Sequence, residues 1–70
     1  MSTLTFQGGN SKYSSDGITT IFEVASTGAT ITDITFREDD VVEVEVLELL
    51  TPTQTKSVEN AFEDKGFDVV

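Results

Sequence analysis

The stretch from Ile18 to Leu49, ITTIFEVASTGATITDITFREDDVVEVEVLEL, decides how the chain is read. Ile18 to Ala25 is rich in β-branched residues. As an extended segment it puts Ile18, Thr20, Phe22 and Val24 on one face and Thr19, Ile21 and Glu23 on the other. Ser26-Thr27-Gly28 then makes a turn. Ala29 to Arg37 forms the next strand, with Ile34 and Phe36 on one face and Ile31, Asp33 and Thr35 on the other. After a turn at Glu38-Asp39-Asp40, Val41 to Leu49 gives the clearest alternation, Val42, Val44 and Val46 against Glu43 and Glu45. The phase slips at Val46-Leu47, as it does at a bulge or at the end of a strand. Three strands joined by turns this short are antiparallel neighbours, a meander.

Working outward, Thr3 to Gln7 alternates polar residues with Leu4 and Phe6 and suits a short strand. Gly8-Gly9-Asn10 is a turn signal, and Ser11 to Gly17 reads as a loop with some pairing around Lys12-Tyr13. On the other side the period changes. Thr51-Pro52-Thr53-Gln54 is a helix start: Thr51 is the N-cap, Pro52 the first helical residue, and Gln54 the reciprocal partner of a capping box. Val58, Ala61 and Phe62 follow at helical spacing. Gly66 ends the helix in the left-handed position, with Phe67 placed to touch Phe62 in a Schellman ending. Phe67 to Val70 is extended and is expected to run parallel to the Val41–Leu49 strand after a right-handed crossover.

The expected fold is therefore α+β: an antiparallel meander sheet of four or five strands with one C-terminal α-helix packed on one face. Residues 1–70 make one small domain. Val58, Ala61 and Phe62 are expected to pack on Phe22, Val24, Ile34, Phe36, Val42 and Val44. The ending Val58 to Val70 resembles the last helix and strand of ferredoxin-like metal-chaperone domains. That resemblance covers under a fifth of the chain. The C-x-x-C metal motif of those domains is missing, and this reading finds no first helix, so it implies no metal-site residues.

Composition bounds the chemistry. Thirteen Asp and Glu against four Lys and Arg give a net charge of −9 on 70 residues, and there is no His and no Cys. Disulfides, thiolate zinc sites, Cys nucleophiles and imidazole catalysis are excluded. Surface scaling gives a folded area of about 4,300 Å² and about 6,700 Å² buried on folding. Apolar burial then supplies about 100 kcal/mol against an ordering cost of about 105 kcal/mol. Folding is marginal, and self-repulsion among the acids weakens it further until salt screens them. Acid-rich, Lys-poor, Thr- and Val-rich composition is that of halophile-type proteins, which sets an expectation of salt-dependent stability. No stretch resembles a transmembrane helix or signal peptide, so the expected location is cytoplasmic.

The candidate sites are sparse. Glu38, Asp39 and Asp40 offer clustered carboxylate oxygens to a divalent cation, but without the alternation of an EF-hand loop. Glu43 and Glu45 sit at a strand spacing of about 7 Å, a separation that glycosidases use, without the length of chain that builds a cleft. Gly8-Gly9-Asn10 has the form of an anion nest but lacks a following Lys-Ser/Thr. Lys12, Tyr13 and Arg37 are too few for nucleic-acid contact at this net charge. Ile21, Ile31, Leu47 and Leu49 are expected on the sheet face away from the helix, as an interaction surface. The reading is a non-enzymatic protein-interaction module or homo-oligomer subunit, with divalent-cation binding as the alternative. It expects a protein partner or self-association, no nucleic acid, no membrane and no cofactor.

Overall fold

A computed structural model describes residues 2–8 and 13–70. The elements run β1 (Ser2–Gln7), α1 (Ser15–Val24), β2 (Ile31–Arg37), β3 (Val41–Val46), α2 (Pro52–Asp64) and β4 (Asp68–Val69). The fold is α+β, with four antiparallel-paired strands in one open sheet and two helices. The sheet order is β2-β3-β1-β4.

The main correction falls on Ile18 to Ala25, which is not a strand. It lies in α1 and its C-cap. Ile18, Ile21 and Phe22 fall on one helical stripe and are buried together, with Ala25 packed against them. An extended chain would split Ile18 from Ile21. The Thr19 and Thr20 hydroxyls donate to the carbonyls of Ser15 and Asp16 one turn back, so both polar side chains are satisfied inside the helix. Ser14 is the N-cap, its hydroxyl accepting from the Gly17 N–H. Gly17 is a poor helix former, but a Cβ there would meet the Tyr13 ring at 3.2 Å. Its missing side chain is what lets Tyr13 lie against the first turn.

With α1 in place, there is no three-strand meander. β2 and β3 form a hairpin across Glu38-Asp39-Asp40, where Asp39 and Asp40 both have positive φ. β1 inserts on the other side of β3 and is held there by six ladder pairs, from Ser2↔Val46 to Gln7↔Val41. β4 then pairs with β1, antiparallel. It runs in the same direction as β3 but does not touch it. The connections β1-α1-β2 and β3-α2-β4 each skip one strand. This is the split βαβ, or ferredoxin-like, connectivity. Buried residues of both helices join Phe6, Val42, Val44 and Val46, which share one face of the sheet, in a single core cluster.

The core lies between that face and the helices. Phe6, Val42, Val44 and Val46 come from the sheet; Ile18, Ile21 and Phe22 from α1; Val58 and Phe62 from α2; and Phe67 from the chain after it. Ala61 packs at the edge of this cluster. Of the partners expected for α2, Val42 and Val44 are in the core, and Phe22 reaches it from a helix instead of a strand. Ile34 is partly buried. Val24 and Phe36 are 67% and 42% exposed and contribute little. Strand phase explains one further difference. A register shift between Ile31 and Asp33 brings Ile31 opposite Val46, onto the same face as Ile34 and Phe36. The irregularity is thus in β2, while the slip at Val46-Leu47 is simply the end of β3.

α2 forms as its sequence dictates. Thr51 Oγ1 accepts from the Gln54 N–H, and Gln54 Oε1 accepts from the Thr51 N–H. At the other end the Phe67 N–H reaches the Phe62 carbonyl and the Gly66 N–H reaches the Glu63 carbonyl, a complete Schellman motif around Gly66 at φ 96°. The accessible surface, 4173 Å², is close to the value expected from size. The expected Gly9-Asn10 turn and pairing at Lys12 lie outside the described residues.

Candidate functional site

The sheet face away from the helices is polar. Along it run three cross-strand rows: Thr3–Glu45–Asp33, Thr5–Glu43–Thr35 and Gln7–Val41–Arg37. Arg37 forms an ion pair with Glu43 across the hairpin. Asp33 and Glu45 face each other with like charge, an unfavourable pairing at this spacing. This face is therefore not the apolar surface expected from Ile21, Ile31, Leu47 and Leu49. Ile21 is in the core at 4% exposed, and Ile31 is drawn to the helix side by the β2 irregularity. Leu47 and Leu49 alone remain in water, 61% and 79% exposed.

These two leucines sit on a loop that is fastened at several points. The Leu47 N–H donates to the Thr30 carbonyl at 2.9 Å, and the Thr30 N–H donates to the Glu48 carboxylate at 2.7 Å. The Leu50 N–H donates to Ser2 Oγ at 3.0 Å, and the Leu50 side chain packs on the core. The alternating backbone thus half-buries Leu50, engages Glu48 and leaves Leu47 and Leu49 outward. The Thr30 backbone N–H, followed by Glu48's own backbone, holds the Glu48 carboxyl below the usual carboxylate range.

At the acidic turn the backbone carbonyls are engaged by the neighbouring strand. The Asp39 and Asp40 carbonyls accept from Gln7 Nε2 and the Gly8 N–H, which tie the hairpin tip to the end of β1. The side chains of Glu38 and Asp39 are exposed, and that of Asp40 is half-buried. Among the described residues, no group of three or more acids is placed to hold a metal ion. Glu43 is ion-paired with Arg37 on the open sheet face.

Among the described residues, two surface hollows bear on the site. One of about 180 Å³ lies at the end of α1, beside Phe22 and Glu23 and the loop Ser26 to Ala29. The other, about 270 Å³, lies between β1 and α2. Among the described residues, no helix is long and apolar enough to cross a membrane. No known protein family, characterised protein or solved structure matches the chain.

Proposed function

We propose that this chain is a non-enzymatic protein-interaction domain that works in molar salt. The observation that carries the reading is the fastened loop presenting Leu47 and Leu49. Large apolar side chains left in water on an anchored backbone lose little further freedom on binding, so their burial is available to an interface. The two hollows support the same reading. Both fall below the roughly 300–1,000 Å³ of ordinary small-molecule sites. The acids support the salt requirement, since none of the thirteen is buried and they are spread over both helices, the hairpin tip and the open sheet face.

Light scattering across protein concentration in 2 M KCl tests the self-associating form. The wild type is expected to gain mass with concentration, and the Leu47→Ser/Leu49→Ser double variant to remain a monomer. A wild type that is monomeric at every concentration rules out self-association through this loop. Equal association by both proteins rules out the two leucines as the contact.

A further inference from the structure

β2 is the edge strand opposite β4, and the chain continues from both of its ends, back to α1 and on to β3. The ladder fixes which of its backbone groups are paired. The Gly8 N–H donates to the Asp40 carbonyl at 2.9 Å, so along β3 the backbone groups of Val42, Val44 and Val46 turn to β1. Those of Val41, Glu43 and Glu45 turn to β2, and the Leu47 N–H, on the Thr30 carbonyl, keeps the same alternation. Their partners Arg37, Thr35 and Asp33 therefore point inward. Ile34 and Phe36, which alternate with them, point their N–H and carbonyl groups out of the sheet. Among the described residues no strand lies beyond them. The regular part of this edge runs from Asp33, after the irregularity, to Arg37, before the hairpin turn, and Thr35 is its centre. No Lys or Pro interrupts it. Phe36 stands at the edge on the helix side, opposite Val42, and is 42% exposed.

We propose that this edge pairs, antiparallel, with the same edge of a second copy about a twofold axis at Thr35, joining the two sheets into one. An open strand edge is a template for another backbone. The register follows from the phase, because residues that exchange main-chain bonds must both point outward and opposed residues must share a face. With Thr35 opposite its own copy, Ile34 lies opposite Phe36 of the second copy, and Phe36 opposite its Ile34. Each of these pairs exchanges two main-chain bonds, and both outward residues of each edge are used. An axis at Ile34 would set Phe36 opposite Thr32 in the irregularity, and an axis at Phe36 would set Ile34 opposite Glu38 in the turn. The Thr35 register also lays Ile34 against Phe36 on the helix side, twice by symmetry, a β-branched–aromatic pairing that favours strand association. On the open face it sets Asp33 opposite Arg37 of the second copy, so no like charges meet across the new ladder. Backbone phase and apolar contact select the occupant, and salt screens neither. Molar salt acts instead on the repulsion between two copies of net charge −9, shortening it to a few Å.

The proposal rests on reading the chain as an interaction domain, and it concerns a different surface from the Leu47–Leu49 loop. Asp33 to Arg37 on each side bury less than the roughly 800 Å² per partner of a stable interface, so this contact forms at millimolar protein. Its test uses the Leu47→Ser/Leu49→Ser variant, in which the loop cannot contribute, in 2 M KCl from micromolar to millimolar concentration. The Ile34 and Phe36 amides are expected to gain protection from hydrogen exchange as concentration rises, while the Thr35 amide, bonded to β3, is protected throughout. In a mixture of isotope-labelled and unlabelled protein, the Thr35 Hα should show a magnetisation-transfer contact with the Thr35 Hα of the second copy, since theirs is the closer, non-hydrogen-bonded kind of pair. Phe36→Thr should weaken the pairing about tenfold through loss of both apolar pairs. Ile34→Pro should abolish it, since it removes an N–H that serves no bond to β3. Phe36→Thr, a change at an exposed edge position, still reads the contact if the Pro variant fails to fold. Ile34 and Phe36 protection that is independent of concentration, a contact in another register, or unaltered pairing in Phe36→Thr each overturns the proposal. So does stronger protection of the same amides by an unrelated strand-forming peptide than by the protein itself, which would make a foreign strand the occupant. Absence of edge pairing beside leucine-dependent association of the wild type overturns this contact and leaves the interaction-domain reading standing.

Discussion

The Phe6 and Phe62 rings lie face to face, with centroids 4.1 Å apart and planes within 2° of parallel. This stack joins β1, one of the two inner strands, to α2. Phe67 closes the group edge-on to both rings, at 6.4 and 5.3 Å. All three are fully or almost fully buried. Truncation of Phe62 removes partners for both neighbours at once. Phe62→Ala is expected to cost about 3–5 kcal/mol, enough to unfold a domain this marginal, whereas Phe62→Leu should cost less. Urea denaturation in 2 M KCl reads the difference, and near-native stability of the Ala variant would exclude the packing described.

The two helices end differently, and the difference is testable. α2 places Gly66 in the left-handed position, while α1 places Ser26 there at φ 53°, its N–H bonded to the Glu23 carbonyl. A side chain in that conformation is strained where glycine is not. Ser26→Gly should raise stability by about 0.5–1 kcal/mol, and Gly66→Ala should lower it by about 1 kcal/mol. Thermal unfolding of the pair against wild type gives both signs in one experiment.

Glu48 supplies a pH dependence. Its carboxyl is held below the ordinary value by the Thr30 N–H. A depressed folded value means that the carboxylate's contribution is fully present above the unfolded pKa, about 4.5, and is lost as pH falls through the lower folded value. The stability gap between wild type and Glu48→Ala should therefore be constant above about pH 5.5 and should narrow below about pH 4.5. Denaturation midpoints of the two proteins across pH, in 2 M KCl to screen the remaining acids, measure the gap. A gap that widens on acidification would contradict the assignment.

Salt should act on the whole molecule. The acids are spread over the surface and the screening length falls from about 10 Å at 0.1 M to about 3 Å at 1 M, so their mutual repulsion is long-range at low salt and short-range at high salt. The urea midpoint is expected to rise between 0.1 M and 2 M KCl. An unchanged midpoint would remove the basis for placing this domain in molar salt.

Where residues meet only local requirements, the sequence is readable directly. Thr51, Pro52, Gln54 and Gly66 specify both ends of α2 by hydrogen bonds within a few residues, and all are found in those roles. Val42, Val44 and Val46 alternate with acids and form the inner strand β3, buried on one side. Leu47 and Leu49 are legible as exposed. Their companions Ile21 and Ile31 are not, because the first belongs to a helix and the second follows a register shift.

What the sequence by itself determined is the set of local structures with strong local signals: the β2–β3 hairpin, the capped α2, the strand at Thr3 to Gln7 and the outward placement of the acids. What only the tertiary structure decided is the state of residues 18–25 and the place of β1. The propensity difference that favours a strand for Ile, Thr and Val is a few tenths of a kcal/mol per residue. Burying Ile18, Ile21 and Phe22 on one face is worth about 1.5–3 kcal/mol for each side chain, and only a helix brings the three to the same side. Once that segment is helical, its crossover carries β2 one strand beyond β1 and leaves the gap that β3 fills.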